Sequence, residues 1–223
     1  MIAGICVASP EELRRNIESA ASRGLPRLAA HPERSEPLAI VGGGHSAHEF
    51  PTDWPGHVMA INGAYDWLGG ADWFLAIDPQ DYIAGLLTRP QSATTFLLAT
   101  CCPPSAFDAL TGHDVVCFDS RQGDDPETFM DVPGGGTAMT RSPIVGAFLG
   151  YRLFTLFGAD SCYLTEATHV YCDEPPPHLI RVLCNGREWV TTLGLLGQAE
   201  YLALMAGLLD ITVVGDNLAA AMI

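Results

Sequence analysis

Small polar residues stand wherever a short apolar run ends in this chain: Gly42 to Ser46, Asn62, Asp78, Thr100, Asp119 and Asp160. Ligands of open parallel sheets bind beyond the carboxyl ends of the strands, so these residues have the chemistry and the placement of a ligand site. The first turn, Gly42-Gly43-Gly44-His45-Ser46-Ala47, contains the pattern G-x-G-x-x-A. Glycines so spaced let a phosphate approach the backbone, and a helix starting there would add its dipole. A merely tight strand-to-helix turn would use the same glycines. A nicotinamide site would want Asp or Glu at the end of the second strand to hold the ribose hydroxyls. Asn62 occupies that position, so NAD is not expected, although its amide can still bond a ribose or a base.

A second glycine-rich stretch, Gly134-Gly135-Gly136-Thr137, also runs into a helix. It could hold a donor or acceptor through Thr137 or Ser142, with Arg141 as the cation, or it could be a hinge with ordinary capping. Asp78 and Asp160 suit a Mg²⁺-nucleotide and equally suit caps after their strands. His169, close to Tyr171, has the imidazole expected of a general base toward a sugar hydroxyl, and a backbone-bonded structural histidine would look the same. Cys162, His169, Cys172, His178 and Cys184 have spacings that fit no paired-ligand zinc motif. Of the aromatic residues after Pro51, Tyr65 is the one placed to stack on a base, the others reading as core.

Composition narrows these options. The chain has 223 residues and is 48% hydrophobic, enough for one large core. Its formal charge of −15 disfavours a nucleic-acid surface. All 11 positive side chains are arginine. Without lysine there is no P-loop lysine, Schiff base or lysine base, so an anion must be held by backbone N–H groups, arginine, histidine or a metal. The 7 cysteines include no C-x-x-C pair, a pattern of reduced thiols. Neither a signal peptide nor a membrane span is legible, and a cytoplasmic protein with no membrane partner is expected. A homo-oligomer is left open.

The elements that must position these groups follow from periodicity. A helix is predicted over residues 10–23, with Ser9 as cap and Pro10 in the first turn. Apolar runs at 38–41, 57–61, 73–77, 95–99, 115–118, 153–157 and 211–214 read as strands buried on both faces. Asn185-Gly186 marks a hairpin between 178–184 and 187–192, followed by a helix to about residue 206. A further helix is expected to end near Gly150, with Pro143 either starting or kinking it. The acidic loop from Asp119 to Pro133 is either a lid or a solvated excursion. The expected architecture is a doubly wound, mostly parallel α/β sheet over residues 38–223, including the hairpin 178–192, preceded by a helix and connection over residues 1–37.

Several of these motifs together resemble a family. Leu38 to Ser46, Ala60-Ile61-Asn62 and Asp72 to Pro79 are similar to the corresponding strand ends of the MptE-like Rossmann family. So are Gly150 to Ser161, His169-Val170-Tyr171 and Gln198-Ala199-Glu200. That group includes archaeal hydroxymethylpterin diphosphokinases and the glycosyltransferase-like motility-associated-factor proteins. The first turn has Gly44-His45-Ser46 where the family usually has Gly-Pro-Ser. Ile77-Asp78-Pro79-Gln80 keeps one carboxylate where the diphosphokinase branch has two, and Asp81 falls one position late. The resemblance therefore implies the glycosyltransferase-like branch and a Rossmann-like fold. Bacterial sialyltransferases are distantly similar; by that likeness Asn62 would contact donor ribose or base, and His169 would take the acceptor proton.

The expected function is a transferase using a nucleotide-activated donor, a nucleotide sugar above all. Gly42, Gly43, Gly44 and Ser46 would hold donor phosphate, with Gly135, Gly136 and Thr137 as further nucleotide contacts. Asn62, Asp78 and Asp160 would orient ribose, base or Mg²⁺, and Arg141 would meet the departing phosphate. A Mg²⁺-dependent diphosphokinase acting on a pterin-like alcohol and a non-catalytic nucleotide-binding or assembly module are the alternatives.

Overall fold

The computed structural model describes residues 8–120, 132–164, 169–171 and 178–223. The lid proposed between Asp119 and Pro133 falls mostly on residues 121–131, outside the described ones. The first helix, α1 (Pro10–Ser22), starts on a reciprocal capping box: Ser9 Oγ accepts from Glu12 N–H, and the Glu12 side chain accepts from Ser9 N–H.

Seven strands follow the apolar runs: β1 (Leu38–Val41), β2 (His57–Ile61), β3 (Trp73–Ala76), β4 (Thr95–Ala99), β5 (Asp114–Phe118), β6 (Leu153–Phe157) and, after a hairpin, β9 (Asp210–Val213). The hairpin strands are β7 (Ile180–Cys184) and β8 (Arg187–Thr191), joined through Asn185 and Gly186 at positive φ as the Asn-Gly signal predicts. The sheet order is β5-β4-β3-β2-β1-β6-β9. Every adjacent pair is parallel, so the sheet is wholly parallel and the hairpin forms its own two-stranded sheet.

Central β1 is buried along its whole length, and its alternation divides the core. Leu38 and Ile40 enter the larger cluster, Ala39 and Val41 the smaller one on the other face. The chain winds outward from β1 to β5, then returns to place β6 on the other side of β1. That reversal opens a crevice between the β1 and β6 ends.

Short helices α2 (Ala64–Leu68), α3 (Tyr82–Gly85) and α4 (Pro104–Ala109) link the first strands. Longer α5 (Ala138–Phe148) and α6 (Leu193–Ala206) and the final α7 (Leu218–Met222) complete the layers. Asn16 of α1 is buried and donates to Pro79 O and Cys101 O at 3.2 and 2.9 Å, tying the N-terminal helix to the sheet's carboxyl end. The β5 edge is sealed by the connection after α1: Leu28 N–H donates to Cys117 O, and Cys117 N–H to Pro26 O. No helix among the described residues is long and apolar enough to cross a membrane.

Three local expectations are corrected. After the first glycine turn there is only a single 3-10 turn, His45–Glu49, in place of a helix with a useful dipole. Pro143 lies inside α5 and does not start it; Thr137 is the cap. A proline at 143 cannot bond the Met139 carbonyl, and Ser142 Oγ donates to that carbonyl instead, at 2.8 Å. Tyr65 is buried against Phe74 and Phe96, its hydroxyl bonded to Thr94 and to Gln91 N–H, so it is unavailable for stacking on a base.

Candidate functional site

A cleft of about 270 Å³ opens at the crevice beyond the carboxyl ends of β1, β2 and β6. Its floor is the glycine turn, Gly42 to Gly44, with Ile61 and Asn62 from β2 on one side. The segment from Gly158 to Tyr163, except Ala159, forms another side, and the start of α5, Thr137 to Met139, faces it. Leu195 and Gln198 of α6 and the pair His169 and Tyr171 complete the lining. Of the residues singled out in the sequence, the cleft brings together Gly42, Gly43, Gly44, Asn62, Thr137, Asp160 and His169.

The glycines are required by close approaches within the protein. A Cβ on Gly42 would lie 2.4 Å from Met139 Cε and 2.9 Å from Gly158 O. On Gly43 it would meet His169 Cδ2 at 2.5 Å and the Tyr171 ring at 2.7 Å, and on Gly44 the Asp160 carboxylate at 2.8 Å. The backbone is equally engaged. Gly42 and Gly44 N–H groups donate to Phe157 O and Gly158 O at 2.8 and 3.0 Å. Val170 N–H donates to Gly43 O at 2.8 Å, fastening the His169–Tyr171 segment over the turn. The two rings stack with centroids 5.1 Å apart and 15° between planes. Tyr171 rests also on Gly63, where a Cβ would come within 2.5 Å of Cε2. His169 itself is exposed.

Asp160 and Ser46 form a buried knot behind this floor. Ser46 N–H donates to Asp160 Oδ2 at 3.0 Å, and Ser46 Oγ donates to Oδ1. Ser46 Oγ accepts from Gly158 N–H at 2.9 Å. Asn217, the cap of α7, donates through Nδ2 to Asp160 Oδ1 at 3.1 Å. Ser46 is thus committed to the Asp160 carboxylate and does not line the cleft.

Asn62 sits at φ +51° and Ser161 at +57°, two of three non-glycine residues in the left-handed region among those described. Both line the cleft; the third, Asn185, is in the hairpin turn. Such conformations cost about 1–3 kcal/mol and persist where the surroundings over-determine them. At Ser161 the surroundings are evident. Its Oγ donates to Ala159 O and accepts from Gln198 Nε2 at 3.0 Å, and its carbonyl accepts from Thr191 Oγ1 at 2.7 Å. Gln198 Oε1 in turn accepts from Thr137 Oγ1 at 2.8 Å, so one amide joins the α5 start to the β6 end. The Asn62 Oδ1 atom is buried with no hydrogen-bond partner among the described residues. Burial pushes the Cys162 thiol, on the cleft wall, up to about 11, leaving it protonated and unsuited to nucleophilic work at neutral pH.

Other sequence candidates lie off the cleft. Asp78 accepts from Gln80 N–H at 3.0 Å and from the Tyr82 hydroxyl at 2.9 Å, a turn-forming role. Desolvation, then the neighbouring Asp78 charge, holds the Tyr82 hydroxyl well above its ordinary range. Asp81 accepts from Ser105 of α4 at 2.7 Å. Arg141 is buried, donates through Nη1 to Val132 O and packs its Cγ where a Gly134 Cβ would be. Gly135 packs on the Thr140 side chain, and neither it nor Gly136 lines the cleft. Sequence reading assigned no role to Gln198, although it fell in a quoted motif, and none to Asn217, Ser161 or Tyr163.

No family model matches the sequence, and neither does any curated protein sequence. Among solved structures, a MAf glycosyltransferase from Magnetospirillum magneticum AMB-1 superposes on 87% of this chain with a TM-score of 0.66 at 17% identity. The match covers 34% of that protein, so this chain spans about a third of its length. At that identity the likeness is one of fold.

Proposed function

We propose that this chain transfers a glycosyl group from a nucleotide-activated donor to a hydroxyl acceptor. The observation that carries the reading is the convergence on one cleft of the glycine turn, Asn62, the start of α5 and His169, at the point where the strand order reverses. The fold shared with a glycosyltransferase supports it at the coarse level.

We read the roles as follows. With Ser46 committed to Asp160, donor phosphate rests on the Gly43 amide and on the first amides of α5, Ala138 and Met139, where the helix dipole favours an anion. Thr140 N–H is already capped by Thr137. The buried Asn62 Oδ1 accepts from a ribose hydroxyl or a base amino group, which would satisfy an atom otherwise costly to bury. His169, held over Gly43 by its stack on Tyr171, takes the acceptor proton as the acceptor oxygen attacks the anomeric carbon and the nucleotide phosphate departs. Arg141, buried beneath the Val132 segment, has no part in the transfer. Asp160 spends its carboxylate on Ser46 and Asn217 and would not be the ligand of a Mg²⁺ ion; such an ion would supply charge neutralisation for the donor phosphates.

A panel of CMP, UDP, GDP, ATP and their sugar conjugates, with and without Mg²⁺, tests this by thermal shift. A donor nucleotide should raise Tm, and Asn62→Ala should abolish the rise. His169→Ala should keep the shift and lose at least about 100-fold in donor turnover. Unchanged turnover in His169→Ala removes the base. Stabilisation by ATP alone, strictly with Mg²⁺, favours the diphosphokinase, and binding of sugar nucleotides without turnover favours a non-catalytic module.

A further inference from the structure

We infer that Asn217, six residues from the last residue of the sequence, is a positioning residue for the glycine turn, acting through Asp160 and Ser46. The inference rests on the reading of that turn as a nucleotide site, which it deepens by coupling the site to the C-terminal helix.

Asp160 is 2% exposed, and the groups that hydrogen-bond its carboxylate, the Ser46 amide and hydroxyl and the Asn217 amide, are all neutral donors. Each donor fixes a different part of the site. The Ser46 bonds hold the turn leaving β1, and the Gly158 N–H to Ser46 Oγ bond ties that turn to the end of β6. Asn217 brings in the chain after β9: its Nδ2 also donates to Val214 O at 2.8 Å, and its Oδ1 caps Ala220 N–H at 2.9 Å. Ala219 N–H closes the loop by donating to Asp160 O at 3.2 Å. A Cβ on Gly215 would press on Ser46 Cβ at 2.8 Å, so the two segments are also in steric contact. The floor of the cleft is therefore fixed from behind by a residue more than 170 positions away in sequence.

Asn217→Asp separates this role from simple helix capping. Aspartate is as good a cap as asparagine, so capping alone predicts an unchanged or firmer protein. The latch predicts the opposite, because a second carboxylate would face Asp160 Oδ1. Amide hydrogen exchange at Gly44, Ser46 and Ala47 reads the turn without any ligand. Asn217→Asp should lower protection there about tenfold or more, with the amides of β3 and β4 unchanged. Adding Asp160→Asn should recover at least half of that loss on a logarithmic scale, since its amide can donate both to Ser46 Oγ and to the new carboxylate. Asn217→Ser, which keeps a cap oxygen but has a hydroxyl too short to replace the amide N–H that reaches Asp160, should show an intermediate loss. Unchanged protection in Asn217→Asp overturns the inference. So does a loss that Asp160→Asn leaves untouched, which would trace to the Val214 carbonyl. The same proteins, titrated with CMP, UDP, GDP and ATP, keep the two readings apart. If the wild type binds none of them, the nucleotide reading fails while the exchange result still decides the latch.

Discussion

Single residues at this site answer to more than one demand. Gly43 was read from sequence as room for a phosphate, and its missing Cβ makes room for the His169–Tyr171 pair. Gly43→Ala should therefore cost about 1–3 kcal/mol of unfolding free energy through overpacking. Gly194→Ala on α6, where a Cβ meets nothing within 4 Å, should instead gain about 0.4–1 kcal/mol. Urea denaturation of the two variants checks the opposite signs. If both variants move the same way, the crowding at Gly43 is not what the geometry states. Asn62 and Thr137 are legible because strand-end and cap positions advertise themselves, and His169 because an imidazole is a natural general base. Which neighbours they meet is not, because those contacts join residues far apart in the chain.

At the scale of elements, strands were easier to read than the turns that follow them. The run Leu38–Val41 is continuous and apolar because both faces of that central strand are covered. The element after Gly44 escaped because a 3-10 turn and an α-helix begin with the same glycine-to-serine signal. Pro143 escaped because only the fold shows Ser142 supplying the bond that a proline cannot make. The hairpin docks beside the cleft. Thr191 bonds Ser161, and Tyr163 N–H bonds Val190 O at 2.8 Å. The N-terminal helix is fastened in the same tertiary manner. Asn16→Ala removes two bonds to buried carbonyls and should destabilise the protein by about 1–3 kcal/mol, measured by chemical denaturation. A change within about 0.5 kcal/mol, the range of ordinary surface substitutions, would mean that α1 is held by its apolar contacts alone.

At the scale of the whole molecule, burial sets the chemistry of the Cys101, Cys102, Cys117 and Cys162 thiols. Desolvation pushes Cys101, Cys117 and Cys162 from an ordinary 9.0 up to about 11. Their folded-state values lie above the unfolded ones, so the stabilisation is complete below about pH 9 and is lost as pH rises toward 11. The urea midpoint should fall across that window, and native-state alkylation by iodoacetamide at pH 8 should be much slower than in urea. A flat midpoint between those pH values would remove burial as the cause.

By itself the sequence determined the order of elements, the parallel sheet and the exclusion of lysine chemistry, because periodicity, turn residues and composition are local properties. It also named most of the polar groups that meet in the cleft. Only the tertiary structure decided that Ser46 serves Asp160, that Arg141 is buried elsewhere, and that Gln198 and Asn217 brace the site. The Ser46, Gln198 and Asn217 assignments depend on which atoms share a hydrogen bond across 37 to 114 positions of chain, and no local pattern carries that information.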